Sequence, residues 1–149
     1  MSESTSTPER EVGALVVTHG DLARELVTAA KKIVGDASRL RAVCIAWDEE
    51  VGSAREAIAV AIDEMSDTSG VVILTDMFGG TPTNISLTFL DPGRIEIVTG
   101  VNLPMLVKFL NLSGTEAVRA VAEELTSKGQ QSIQTASGIL APRGSKGGV

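Results

Sequence analysis

The sequence of 149 residues predicts an α/β protein with an open, mainly parallel four-stranded sheet and helices on both faces. Four short apolar runs rich in β-branched residues indicate the strands. Two of these runs are nearly continuous in Val, Leu and Ile, which is typical of parallel strands buried on both faces. The segments between the runs are long enough for a helix each. We expect the doubly wound strand order 2-1-3-4, with room for one added edge strand.

The four predicted strands are VGALVV at 12–17, LRAVCIA at 40–46, GVVILT at 70–75 and RIEIVT at 94–99. The first predicted helix directly follows the first strand, and Asp21 is its candidate cap. It ends at Gly35 after two lysines in its last turn, which complement the helix dipole. Ser53 is the candidate cap of the second helix, which runs to Met65.

Three further helices follow the third and fourth strands. Thr81 is the candidate cap of the first, with Pro82 at its first helical position. Asn102 is the candidate cap of the next, and the last long helix ends at Gly129. Residues 130–140 keep some apolar periodicity, which fits either a short helix or an added strand.

Composition indicates one globular domain, because 43% of the residues are apolar and 21% are charged. We assign residues 1–10 to a flexible N-terminal extension, 11–140 to the domain and 141–149 to a flexible tail. A formal net charge of −6 without a basic, aromatic-interleaved cluster argues against nucleic-acid binding. The sequence shows no secretory leader and no membrane-spanning apolar run, so we expect a cytoplasmic protein without direct membrane insertion.

The chemistry is expected at the carboxyl ends of the strands, where open α/β sheets bind ligands. In the predicted strand order His19 and Asp76 follow neighbouring strands and therefore face each other. If Asp76 accepts a hydrogen bond from Nδ1 of His19, the lone pair lies on Nε2. These two residues are the candidate catalytic pair, with Nε2 as a nucleophile.

The loop after the third strand has the composition of an anion site. Gly79 and Gly80 expose backbone N–H groups, and a helix begins at Thr81, so its positive end faces the loop. The Thr81 hydroxyl and the Gly20 N–H are candidate phosphate donors. A GGTP run also fits a plain tight turn, and a lone histidine is often structural, so these residues alone do not name a reaction.

Three motifs identify a resemblance that covers roughly residues 12–135. They are ALVVTHGDLARELVTAA, DMFGGTPTN and GVNLPML. In order and spacing they resemble the signatures of the mannose-type (mannose, fructose and sorbose) IIA components of the sugar phosphotransferase system, the PTS.

The resemblance implies a phosphoryl carrier. His19 would accept phosphate at Nε2 from the phosphohistidine of HPr and pass it to a IIB component, with Asp76 orienting the ring. Thr81 would lie beside the phosphate, Phe78 at the rim of the site, and Asn102 of the third motif would join the substrate-binding residues. The family further implies a phosphotransferase without cofactor and a homodimer with an exchanged edge strand.

Other functions compete with this interpretation. The main alternative is a regulatory phosphoprotein of an incomplete phosphotransferase system, acting by protein–protein interaction through the same His19. A response-regulator receiver is disfavoured because Thr18 and His19 stand where it needs an acidic pair for Mg²⁺. No nucleotide-binding glycine motif is present, and one histidine with one cysteine does not suggest a metal site. We expect Trp47 to be partly buried and Asp48–Glu50 to form a solvated acidic rim.

Overall fold

A computed structural model describes residues 9–142, and over this range the chain forms four strands and six helices. The strands are β1 (Gly13–His19), β2 (Leu40–Ile45), β3 (Val71–Thr75) and β4 (Ile95–Thr99). The helices are α1 (Leu22–Val34), α2 (Val51–Asp63), α3 (Gly80–Leu87), α4 (Leu103–Asn111), α5 (Val118–Gln131) and α6 (Ala136–Leu140). None of these helices of the described range is long and apolar enough to cross a membrane.

The four strands form one sheet in the order β2-β1-β3-β4, and every pair is parallel. This confirms the predicted order. Val17 of β1 pairs with Thr75 of β3, and Thr75 pairs with Thr99 of β4, so the strands end at nearly the same level. The segment whose sequence fits either helix or strand contains the short helix α6.

Helices cover the sheet in two layers, each with its own hydrophobic cluster. On one face, α1, α4 and α5 pack against side chains such as Val16 and Leu74. On the other face, α2 and α3 pack against Leu15 and Ile73. Because the central strands β1 and β3 meet a layer on each side, they are buried almost without interruption, as their continuous apolar sequences predicted.

The first three helices do not use the predicted side-chain caps. At α1 the buried hydroxyl of Thr18 accepts from the N–H of Ala23 at 2.7 Å, while Asp21 pairs instead with Arg24 at 3.1 Å. Helix α2 begins at Val51, so Ser53 lies inside it. Helix α3 begins at Gly80, one residue before the predicted cap.

The end of α5 also differs from the prediction. Gly129 lies inside the helix, which continues to Gln131, and a Cβ at Gly129 would come within 2.8 Å of Sδ of Met105. The glycine thus allows α4 and α5 to approach closely. All ten elements fall between residues 13 and 140. The predicted N-terminal extension and tail, apart from residues 9–10 and 141–142, lie outside the described residues.

Candidate active site

His19 and Asp76 meet at the carboxyl edge of the sheet. His19 is the last residue of β1 and Asp76 follows the last residue of β3, so the adjacent parallel strands bring them together. Oδ2 of Asp76 lies 2.8 Å from Nδ1 of His19 and also accepts from the His19 backbone N–H at 3.1 Å. Both side chains are only slightly exposed, 19% for His19 and 13% for Asp76.

The Asp76 carboxylate is itself held in place. Its second oxygen, Oδ1, accepts from the N–H of Met77 at 3.1 Å, so both oxygens have a backbone partner. An ionised carboxylate can only accept hydrogen bonds, which places the proton of a neutral His19 ring on Nδ1. The lone pair of the ring therefore lies on Nε2, the nitrogen that faces away from Asp76.

Gly80 keeps that nitrogen accessible. A Cβ at position 80 would lie 3.0 Å from both Nε2 and Cε1 of His19, closer than a carbon atom can ordinarily approach. Gly80 also has a φ of +83° and Gly79 a φ of +90°, the region that side chains disfavour. Both glycines are thus required by the backbone path, and Gly80 additionally by the contact with His19.

The amino end of α3 lies at the same place. Gly79 occupies the N-cap position and has no side chain with which to cap the helix. The first N–H groups of a helix lack intrahelical partners and carry a partial positive charge. Gly80 and Thr81 lie in this first turn, and Gly80 lies beside Nε2 of His19. The arrangement offers donors to an anion bound on that nitrogen.

Thr83 fixes this loop to the sheet, a role that the sequence did not reveal. Its fully buried hydroxyl is hydrogen-bonded to Oγ1 of Thr75 at 2.8 Å and to the carbonyl of Met77. These bonds tie the first turn of α3 to the end of β3 and to the residue that follows Asp76. The only available signal was a polar residue on the buried face of a predicted helix.

Between residues 13 and 126 the sequence matches the EIIA-man family model, described as the PTS system fructose IIA component. This match spans well over half of the chain. The chain belongs to the mannose-type PTS IIA family. It is 30% identical over 127 residues to the fructose-specific EIIA component of Bacillus subtilis, which covers 85% of this chain and 87% of that protein.

Two further relatives of the IIA chain agree with this assignment. It is 29% identical over 100 residues to the mannose-specific EIIAB component of Escherichia coli K12, covering 66% of this chain but only 31% of that longer protein. The solved PTS IIA protein associated with the fucose utilization operon of Streptococcus pneumoniae superposes with a TM-score of 0.76 at 28% identity. That match covers 87% of this chain and 96% of the other. Sequence and fold therefore point to the same family.

Trp47 of the IIA chain is not the partly buried residue that we expected. Its side chain is 81% exposed, and its ring stacks on the imidazole of His19 with the centroids 4.9 Å apart and the planes at 19°. The prediction was wrong because Trp47 lies beyond the end of β2 and belongs to neither hydrophobic cluster. Its contact with His19 joins the ends of two different strands, which no local sequence pattern reports.

Gly20, predicted to be a phosphate donor, uses its N–H within the IIA fold. That group donates to the carbonyl of Ile45 at 2.8 Å, which ties the loop after β1 to the end of β2. A Cβ at Gly20 would lie 3.1 Å from Nε1 of Trp47, so the glycine makes room for the indole ring. Its N–H is engaged in this structure.

Phe78 and Asn102 have different surroundings. Phe78 is 76% exposed in the loop between Asp76 and α3, and its place at the rim of the site stays a prediction. Asn102 caps α4 as predicted, with Oδ1 accepting from the N–H of Met105 at 3.2 Å. Its Nδ2 donates to the carbonyl of Gly129 at 3.2 Å, so both ends of the amide bind within the protein.

The acidic rim is only partly as predicted. Asp48 and Glu50 are exposed, whereas Glu49 is half-buried. Its Oε1 accepts from the N–H of Ala46 at 3.0 Å and its Oε2 from the hydroxyl of Ser53 at 3.0 Å. Glu49 therefore shapes the loop that carries Trp47, and the solvated negative charge at this edge comes from its two neighbours.

Proposed function

We propose that this IIA chain is a phosphoryl carrier, which accepts phosphate on Nε2 of His19 from the phosphohistidine of HPr and passes it to a IIB component. One observation supports this most directly: Asp76 holds Nδ1 at 2.8 Å, while Nε2 faces glycine and the amino end of α3. A nucleophilic nitrogen is thereby directed at a place suited to an anion.

The transfer balances without a cofactor. The lone pair on Nε2 of His19 forms a bond to phosphorus as the bond between phosphorus and the donor's ring nitrogen breaks. The donor ring carries a proton on its other nitrogen, so the electrons of that bond leave the donor as an uncharged imidazole. His19 keeps its proton on Nδ1, so its phosphorylated ring is a cation, and the Asp76 carboxylate lies against it.

The first turn of α3 would stabilise the group in transfer. Phosphoryl transfer depends mainly on positioning and on donors directed at the equatorial oxygens. Backbone N–H groups of Gly80 and Thr81 and the Thr81 hydroxyl are the donors that we assign, with Gly79 giving them an open approach. The dipole of α3 favours the same negative charge.

The proposed partners are proteins. We propose HPr as donor, a IIB component as acceptor, and a homodimeric, cytoplasmic carrier whose working unit is residues 11–140. The EIIAB name of the E. coli relative associates an A unit with a B unit, which supports a IIB acceptor. Exposed Asp48 and Glu50 near the site provide negative charge for a basic partner.

The test is to mix the purified protein with phosphoenolpyruvate, enzyme I and HPr and to follow incorporation of labelled phosphate. We expect an acid-labile, base-stable label that is lost with His19→Ala and that passes to an added IIB component. Label without onward transfer to a panel of IIB components would favour the regulatory alternative. A wild-type protein that takes up no label would refute the carrier proposal.

Asp76→Ala tests the orienting carboxylate. We expect phosphorylation to slow by on the order of 10²- to 10⁴-fold, the scale seen when a catalytic histidine loses its orienting aspartate. The fold should persist, because Asp76 lies in a loop at the sheet edge and outside both hydrophobic clusters. Circular dichroism and a labelling time course measure the two effects. Global unfolding of the variant, or labelling at the wild-type rate, would contradict this assignment.

A further inference from the structure

Trp47 is the only tryptophan of the chain, and it is largely exposed beside the proposed phosphoryl-accepting ring. Its indole covers one face of the His19 imidazole at a centroid distance of 4.9 Å. Large aromatic side chains contribute most when they are buried, so an 81% exposed tryptophan is unusual. The residue adds little to the hydrophobic core, and its contact with His19 is the interaction that remains to be explained.

The stack is built into the sheet. His19 pairs with Ile45 across β1 and β2, and Trp47 follows Ile45 by two residues. The N–H of Gly20 donates to the Ile45 carbonyl at 2.8 Å, which holds the two loops together. Gly20, with a φ of +56°, leaves the space that the indole occupies. Three separate features thus hold Trp47 over the ring.

Each side of the imidazole therefore has its own neighbour. Asp76 binds the Nδ1 edge, Gly80 leaves the Nε2 edge open, and Trp47 covers a face. When Nε2 carries a phosphoryl group and Nδ1 keeps its proton, the ring is positively charged. A cation over the face of an indole is attracted by the negative potential of that face.

We propose that Trp47 is a positioning residue that stabilises the phosphorylated, cationic form of His19 and holds the plane of its ring. The inference rests on the proposed function, since it concerns the phosphorylated state of the same histidine. Trp47 acts only through the imidazole, and it leaves the approach to Nε2 free. Its predicted effect is on the equilibrium of phosphoryl transfer between HPr and this protein.

The experiment measures that equilibrium for the wild type, Trp47→Ala and Trp47→Phe, with HPr as the probe partner. We expect Trp47→Ala to shift it toward phospho-HPr by about 3- to 30-fold, the range that a cation–aromatic contact provides. Trp47→Phe should restore most of the loss, because phenylalanine retains a ring face. Wild-type tryptophan emission should also change on phosphorylation, since the cation forms against the indole, and His19→Ala should abolish that change.

Ile33→Ala is the matched control, since Ile33 is also an exposed apolar residue, 60% accessible. It lies in the last turn of α1, about 16 Å along the helix axis from Leu22, the first residue of the helix that follows the His19 edge. An unchanged equilibrium in Trp47→Ala, with the wild type labelled normally, would overturn the inference and leave the carrier function intact. A raised KM for phospho-HPr without a shift in equilibrium would likewise overturn it and assign Trp47 to docking. An unlabelled wild type would overturn both proposals.

Discussion

Gly80 affects both the backbone conformation of its loop and the access to Nε2 of His19. Its φ is +83°, and any Cβ would reach to 3.0 Å from Nε2 of His19. We predict that Gly80→Ala lowers the free energy of unfolding by about 1–2 kcal/mol, the cost of the left-handed conformation for a side chain. We also predict a loss of phosphorylation of at least about 10²-fold, because the methyl group occupies the approach to Nε2. Urea denaturation and phosphate labelling measure the two effects.

Gly93→Ala is the matched control for Gly80→Ala. It distinguishes the effect of backbone strain from the effect of blocking Nε2 of His19. Gly93 has nearly the same φ, +86°, and open space where its Cβ would be. It lies in the turn before β4, at the sheet edge opposite to His19. This variant should lose similar stability and keep its phosphorylation rate. Equal loss of labelling in both variants would show that strain, and not collision with His19, limits the reaction.

The packing of α4 against α5 depends on how closely the two helices approach each other. An alanine at Gly129 would improve helix propensity by roughly 1 kcal/mol, but its Cβ would lie 2.8 Å from Sδ of Met105. Met105 is 2% exposed, so its buried thioether chain would have to repack to admit the methyl group. Because overpacking of this kind costs about 1–3 kcal/mol, we predict that Gly129→Ala lowers the free energy of unfolding.

Gly52→Ala is the matched control for this prediction. Gly52 lies in α2, and a methyl group added there would meet no atom within 4 Å. The substitution should therefore raise the free energy of unfolding by about 0.5–1 kcal/mol, the ordinary gain of alanine over glycine in a helix. Urea denaturation of both variants gives the comparison. A gain of stability in Gly129→Ala would show that α4 and α5 are not in tight contact.

At the scale of the whole molecule, one sheet joins the two hydrophobic layers. Leu15 belongs to the layer of α2 and α3 and Leu106 to the layer of α1, α4 and α5, and both are fully buried. We predict that Leu15→Ala and Leu106→Ala each cost about 2–5 kcal/mol of unfolding free energy. Each variant should unfold in a single transition, because β1 and β3 contribute to both layers.

Val60→Ala is the surface control for the two core variants. Val60 lies on α2 and is 44% exposed, so the substitution should change the unfolding free energy by no more than about 0.5 kcal/mol. Circular dichroism and tryptophan fluorescence should report coincident unfolding curves. Two separated transitions in either core variant would show that the layers fold independently.

Much of the molecule was predictable because the determining interactions are local or periodic. Apolar runs located the four strands, and their parallel pairing placed His19 and Asp76 at one edge. Asn102 was identified as a cap because its amide acts on the next turn of the same chain segment. The cap of α1 was not predicted, because the Thr18 hydroxyl, and not the Asp21 side chain, accepts the hydrogen bond from the N–H of Ala23.

By itself, the sequence predicted a parallel doubly wound sheet and, from its common strand order, the pairing of His19 with Asp76. The three motifs carried the resemblance to the family. Only the tertiary structure decided that Trp47 lies on His19, that Thr83 ties α3 to β3, and that Gly129 is a contact point. The physical reason is that these contacts join side chains from separate elements. Whether these side chains come into contact depends on the path of each connecting loop and on how the elements pack, which hydrophobic periodicity and helix or strand propensity do not encode.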